Sequence, residues 1–168
     1  LKLSASSKLP QDTQNDTAPC QAVADYANRG ETSKLYVRVN AEVKSKLSGS
    51  NISLLGTETP WMFDLNNDGL PDPLSIKTRG TAHISEAKVI SSEHPNTIIS
   101  LESAVEDGEY DLELIKANSK YFILSSYESK LIRLWKLSGK EFVPICTFKQ
   151  RTTPQISISI GMDNPVCT

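Results

Sequence analysis

Residues 63–73 read FDLNNDGLPDP, so three aspartates and two asparagines fall within nine positions, 64–72. Counted from Asp64 as position 1, Asn66 is position 3, Asp68 position 5, Gly69 position 6, Leu70 position 7 and Asp72 position 9. A calcium loop needs hard oxygen ligands at this spacing. Side chains supply them at positions 1, 3, 5 and 9, and a backbone carbonyl supplies one at position 7. A glycine at position 6 permits the sharp reversal that turns that carbonyl inward. Asx residues and glycine also make good turns without any ion. An ordinary turn, however, does not require acids at positions 1, 5 and 9 together, where uncompensated carboxylates repel one another.

The loop departs from a helix–loop–helix calcium sensor in two respects. Position 12 is Ser75 in place of a bidentate glutamate. The flanks PWMF and PLSIK read as strands, and Pro71 and Pro73 would obstruct a helix leaving the loop. Magnesium fits less well than calcium because it demands a tighter octahedron and retains its waters. With three carboxylates and no bidentate glutamate, the expected affinity is that of extracellular modules, about 10⁻⁴ to 10⁻³ M. Such a site stays empty at resting cytosolic calcium, so a periplasmic or extracellular location is expected.

A D-x-N-x-D-G-x-x-D loop between two strands resembles the calcium loop of the FG-GAP and VCBS-type β repeats of surface and secreted proteins. The resemblance covers about 20 residues. It implies Ca²⁺ as the bound ion, with Asp64, Asn66, Asp68 and Asp72 as side-chain ligands and Leu70 as the carbonyl ligand. Those families repeat the motif around a propeller. Here no second copy occurs, since VEDGEYD at 105–111 lacks the spacing. The ion is therefore expected and the propeller is not: a four-stranded blade takes about 40 residues, too many for a closed ring in this chain.

Other chemistry-bearing residues read as bland. His83 lies on an alternating run and His94 precedes a proline, so neither is expected to be catalytic. There is no G-x-S-x-G motif for a nucleophile elbow. Glu106, Asp107 and Glu109 read as a solvated turn. Trp61 and Trp135 are expected in packing, with a sugar platform beside the calcium loop as the alternative for Trp61. Asn15 and Asn51 stand in N-x-[ST] sequons, which matter only in a eukaryotic secretory host. No catalytic residue is assigned and a non-enzyme is expected.

The elements that must position the loop are mostly strands. Residues 1–16 are polar and aperiodic and are expected as a flexible leader; 17–168 are expected as one β-rich domain. A helix over 18–29 is predicted from Thr17 or Asp16 as cap, Pro19 in the first turn and Gly30 at the end. Cys20, Val23, Ala24 and Ala27 form its apolar stripe. KLYVRVNAEVK, from Lys34 to Lys44, alternates with period two and predicts a half-buried strand. Shorter β-like runs are NISLL, PWMF, PLSIK, TAHISEAKVI and NTIISLE.

EYDLELIK, KYFILSSY, KLIRLWKL and EFVPICTF then form an antiparallel meander joined by turns such as ANS and SGK, and QISISI adds a last strand. The two middle runs are apolar on both parities, as strands covered on both faces are. Pro144 places its strand at an edge or in a bulge. The expected fold is mainly β: an antiparallel meander forming a sandwich, an open barrel or a blade-like stack, with one short N-terminal helix.

Composition narrows the partners. The formal net charge is −2 and basic runs are short, so no nucleic-acid face is expected. No run approaches the about 20 consecutive apolar residues of a spanning helix. The sequence starts without Met, which reads as a mature or trimmed product. Cys20, Cys146 and Cys167 make no CxxC, and one disulfide is expected if the protein is exported; any pairing among them remains open. The resulting expectation is an exported, calcium-stabilised protein that binds a protein partner, in the manner of a periplasmic inhibitor or immunity protein against a toxin or hydrolase. The alternatives are a carbohydrate or cell-surface recognition module and a hydrolase built on an unrecognised carboxylate pair.

Overall fold

The computed structural model describes residues 11–37, 55, 60–79, 84–102, 111–128, 130–150 and 155–160. The chain opens with helix α1 (Gln11–Asn28) and a 3₁₀ turn (Thr32–Leu35). Among the described residues nine strands follow: β1 (Trp61–Phe63), β2 (Asp72–Arg79), β3 (Ile84–Ile90), β4 (Ile98–Glu102), β5 (Asp111–Ala117), β6 (Lys120–Tyr127), β7 (Lys130–Ser138), β8 (Glu141–Gln150) and β9 (Ile156–Ile160). They make two antiparallel meanders, a four-stranded sheet β1-β2-β3-β4 and a five-stranded sheet β5-β6-β7-β8-β9. The fold is mainly β with one N-terminal helix, consistent with a sandwich.

Two apolar clusters define three layers. Between the sheets, Phe63, Leu74, Ala87, Val89, Ile99 and Leu101 of the small sheet meet Leu112, Leu114, Ile123, Leu137 and Phe142 of the large one. On the other face of the large sheet, Ile115, Phe122, Leu124, Leu134, Ile145 and Phe148 pack under Cys20, Val23 and Ala24 of α1. The large sheet is thus covered on both faces, which explains why KYFILSSY is apolar on both parities. Alternation persists in β5, where Leu112 and Leu114 face one cluster and Ile115 and Ala117 face the other.

β7 and β8 break that alternation because each carries one extra residue. Ser125 pairs with Arg133 but Ser126 pairs with Leu131, leaving Ile132 unmatched; Leu134 pairs with Cys146 but Trp135 pairs with Pro144, leaving Ile145 unmatched. A bulge swaps the faces beyond it. Leu131 and Leu134 therefore share the helix side although they are three apart. Pro144 is bulged rather than at an edge, since β8 has β7 and β9 as neighbours. The bulge beside Ser125 is closed by its buried hydroxyl, which accepts the Arg133 N–H at 3.1 Å and the Trp135 indole N–H at 3.2 Å.

Helix α1 begins earlier than its apolar stripe predicts, so the end of the stretch expected as a leader is helical and Pro19 lies inside the helix. The reason is tertiary. Asp16 is fixed by Lys136 of β7 at 2.9 Å, and the fully buried Pro19 ring contributes apolar packing that offsets its missing N–H. The other end was legible: Gly30, at φ 71°, follows the helix, with Glu31 N–H on Tyr26 O at 2.8 Å and Gly30 N–H on Ala27 O at 3.0 Å. That is a Schellman closure.

The strand expected over 34–44 is corrected at its start. Lys34 and Leu35 belong to the 3₁₀ turn, and β pairing begins with an isolated bridge from Tyr36 to Ile115 and a Val37 N–H bond to Leu114 O at 3.0 Å. Burying Leu35 under α1 is what pulls this end of the run out of extended conformation. Residues 38–44 lie outside the described residues, as does NISLL except Leu55.

Candidate functional site: the loop between β1 and β2

Residues 64–71 join β1 to β2, whose pairing runs Trp61 with Leu74, Met62 with Pro73 and Phe63 with Asp72. The loop is therefore strand-flanked, as the two prolines predict. Asp64 organises the turn: its Oδ1 accepts the Asp68 N–H at 3.1 Å and its Oδ2 the Gly69 N–H at 2.9 Å. Asp68 Oδ1 accepts the Leu70 N–H at 2.8 Å. Asn67 takes φ 58° and Gly69 φ 86°, the left-handed conformations that Asn and Gly tolerate.

Asp72 behaves differently from the other acids. It is completely buried. Its Oδ2 accepts the Leu65 N–H at 2.8 Å and the Asn66 N–H at 3.4 Å, and its Oδ1 accepts the Ser92 N–H at 2.8 Å. Burial pushes its carboxyl above the ordinary range, outweighing the Ser92, Leu65 and Asn66 N–H bonds that pull the other way. The exposed Asp68 is shifted down, first by the Ser92 hydroxyl and then by the Leu70 N–H.

Ser91 and Ser92, in the turn between β3 and β4, complete the site. The Asn66 amide nitrogen touches Asp68 Oδ2 at 3.3 Å, Ser91 Oγ at 3.3 Å and Ser92 Oγ at 3.2 Å. Ser92 Oγ also donates to Asp68 Oδ2. An amide nitrogen carries two hydrogens, so this one sits among more oxygens than it can satisfy. Neither serine was singled out in the sequence; a pair of serines in a short turn carries no signal until β3 and β4 bring it beside the loop.

The loop carries the oxygen donors that a hard cation takes, namely the carboxylates of Asp64, Asp68 and Asp72, the Leu70 carbonyl and the Asn66 amide oxygen, which here accepts the Asp68 N–H at 3.3 Å. Their placement is less convergent. Among the described residues, no group of three or more His, Cys, Asp or Glu side chains stands together as a metal-ligand set. Asp72 is turned inward beneath the loop, while the Leu70 side chain is exposed.

Beside the loop lies a recess of about 270 Å³, walled by Asn66, Asn67, Glu93, Lys120, Tyr121 and Lys136. Tyr121 leans on Phe63 with ring centroids 5.0 Å apart, so the recess borders the inter-sheet core. Its lining mixes both signs of charge with amide groups.

Trp61 and Trp135 both pack against the inter-sheet cluster, in keeping with a structural role. The His94 N–H bonds to Ser91 O at 3.0 Å in the β3–β4 turn. His83, Glu106, Asp107, Glu109, Asn51 and Cys167 lie outside the described residues. Cys20 and Cys146 form a disulfide, with Cα atoms 6.3 Å apart and a sequence separation of 126. Among the described residues, no helix is long and apolar enough to cross a membrane. Comparison of the chain with protein-family models, curated proteins and solved structures finds no match.

Proposed function

We propose that the chain is an exported binding protein in which calcium stabilises the β1–β2 loop and the neighbouring surface engages a protein partner. The observation that carries this reading is the tie between Asp72 and Ser92. It fastens an oxygen-rich loop to a second turn and holds Asn66 and Asn67 on the wall of the polar recess. Asp64, Asn66, Asp68, Asp72 and the Leu70 carbonyl would hold the ion. Bound calcium supplies positive charge that relieves repulsion among the carboxylates and fixes the loop against the sheet. The Cys20–Cys146 disulfide supports export, because such bonds persist in oxidising compartments. In this reading the protein acts as a periplasmic inhibitor or immunity protein against a toxin or hydrolase.

A second reading, a carbohydrate or cell-surface recognition module, is favoured by the same recess. Its asparagines, charged groups and Tyr121 are the kind of lining that orients a sugar ring.

Metal-stripped protein should melt at higher temperature when millimolar calcium is restored, and Asp68→Ala should abolish that increment. Capture from a bacterial periplasmic extract should then retain a protein in calcium that is lost in chelator. Equal melting with and without calcium sinks the ion. Retention only on immobilised glycan supports the second reading.

A further inference from the structure

Strand β9 is the outer strand of the five-stranded sheet, and among the described residues its outer edge is met by one hydrogen-bonding side chain. Asn28, the last residue of α1, brackets Ile156: its Oδ1 accepts the Ile156 N–H at 2.7 Å and its Nδ2 donates to Ile156 O at 3.4 Å. The backbone groups of Ile156 therefore point away from β8. In an antiparallel strand, alternate residues direct both N–H and C=O to the same side. Ile158 and Ile160 consequently present their backbone groups to the free edge, where they have no partner among the described residues. Ser157 and Ser159 turn theirs toward Lys149 and Thr147 of β8.

The edge lacks the usual protections. β9 reads ISISI, without charge or proline, and its pairing with β8 has no bulge. Natural sheets blunt exposed edges with such devices. Among the described residues the single device is Asn28, which occupies one end and leaves the two adjacent outward positions without a partner. We propose that this edge pairs with β9 of a second copy of the chain, so that two five-stranded sheets join across a two-fold axis.

The register follows from the open positions. With Ile156 held by Asn28, the symmetric antiparallel arrangement that satisfies both remaining residues centres on Ser159. Ile158 then faces Ile160 of the second copy, and Ile160 faces its Ile158. Each pair exchanges two backbone hydrogen bonds. The isoleucines of β9 lie on one side of the strand, where Ile156 and Ile158 pack against the cluster under α1. Pairing covers Ile160, which is 41% exposed, with isoleucine of the second copy. A foreign extended segment could use the same backbone groups, but the neutral, self-matching pattern favours a second copy. This inference is independent of calcium and of the β1–β2 loop.

Sedimentation and ¹⁵N NMR of the full chain, from micromolar to millimolar concentration and with excess chelator, test it. The expected result is a reversible dimer in which the Ile158 and Ile160 amides shift and gain protection as concentration rises, while the Ser157 and Ser159 amides do not. Ile160→Lys should weaken dimerisation at least tenfold and leave monomer melting intact. A monomer at every concentration overturns the proposal, as does a dimer in which those two amides are unmoved. Protection of both amides in a monomer also overturns it, by assigning the edge to a segment of the same chain.

Discussion

The buried Asp72 carboxylate accepts the backbone N–H of Ser92 at 2.8 Å, joining the first residue of β2 to a turn 20 positions later. The same group accepts the Leu65 and Asn66 N–H bonds, so one side chain serves both the loop it closes and the loop beside it. The most regular feature of the sequence is therefore anchored from beneath. Asp64, by contrast, is half-buried and holds only its own turn, while the exposed Asp68 bonds to its own turn and to the Ser92 hydroxyl.

Asp72→Ala should be among the most damaging single substitutions. It leaves the buried Leu65 N–H and the partly buried Ser92 N–H without their acceptor, at about 1–3 kcal/mol for each group left unsatisfied. Urea unfolding in chelator should show a loss of at least about 2 kcal/mol. Asp64→Ala, which strips only surface turn bonds, should cost less. Equal losses would contradict the separation of roles.

The Asp72 shift also predicts the direction of a pH effect in metal-free buffer. Its folded pKa lies above the ordinary value of 3.8. The folded state thus holds this proton more tightly than the unfolded state does. Its contribution to stability is fully present below that ordinary value and is lost as pH rises through the raised folded value. The stability advantage of wild type over Asp72→Asn, which cannot titrate, should therefore shrink with rising pH across that window. An advantage that grows would reverse the assignment.

The Cys20–Cys146 bond links α1 to β8 within the cluster beneath the helix. Closing so long a loop restricts the unfolded chain, and losing such a bond typically costs about 2–5 kcal/mol. Cys20→Ser with Cys146→Ser should lower the chemical-denaturation midpoint accordingly. Cys167→Ser should leave it unchanged, and a comparable drop from that single variant would contradict the pairing.

Ser125→Ala tests the bulge in β7. It removes the hydroxyl that the partly buried Arg133 N–H and the Trp135 indole N–H both use. A loss of about 1–3 kcal/mol is expected, with a change in tryptophan fluorescence as the indole loses its acceptor. Wild-type stability and emission would show that the hydroxyl does not hold the bulge.

Much of the architecture was written in local patterns. Turn residues and short β runs located β5 through β9 closely, because hairpins between neighbouring strands leave their signals within a few residues. Asn118 and Ser119, in the predicted ANS link, indeed take positive φ between β5 and β6. The prolines flanking the loop correctly marked strands instead of helices. Elsewhere, local pattern was overridden. The alternation beginning at Lys34 describes an apolar period, yet Leu35 buries under α1 and its end of the run winds into a 3₁₀ turn.

The oxygen-bearing residues of the loop were fixed by spacing alone: Asp64, Asn66, Asp68 and Asp72 with the Leu70 carbonyl. What each does was decided by tertiary packing. Only the pairing of β2 with β3 and of β3 with β4 carries Ser91 and Ser92 to the loop, and only that approach buries Asp72 while Asp68 stays in water. The same holds for the cysteines, whose pairing required α1 to cross the large sheet. Local spacing selects atoms of the right chemistry, whereas burial and partner choice depend on contacts between segments far apart in the chain, which no local pattern encodes.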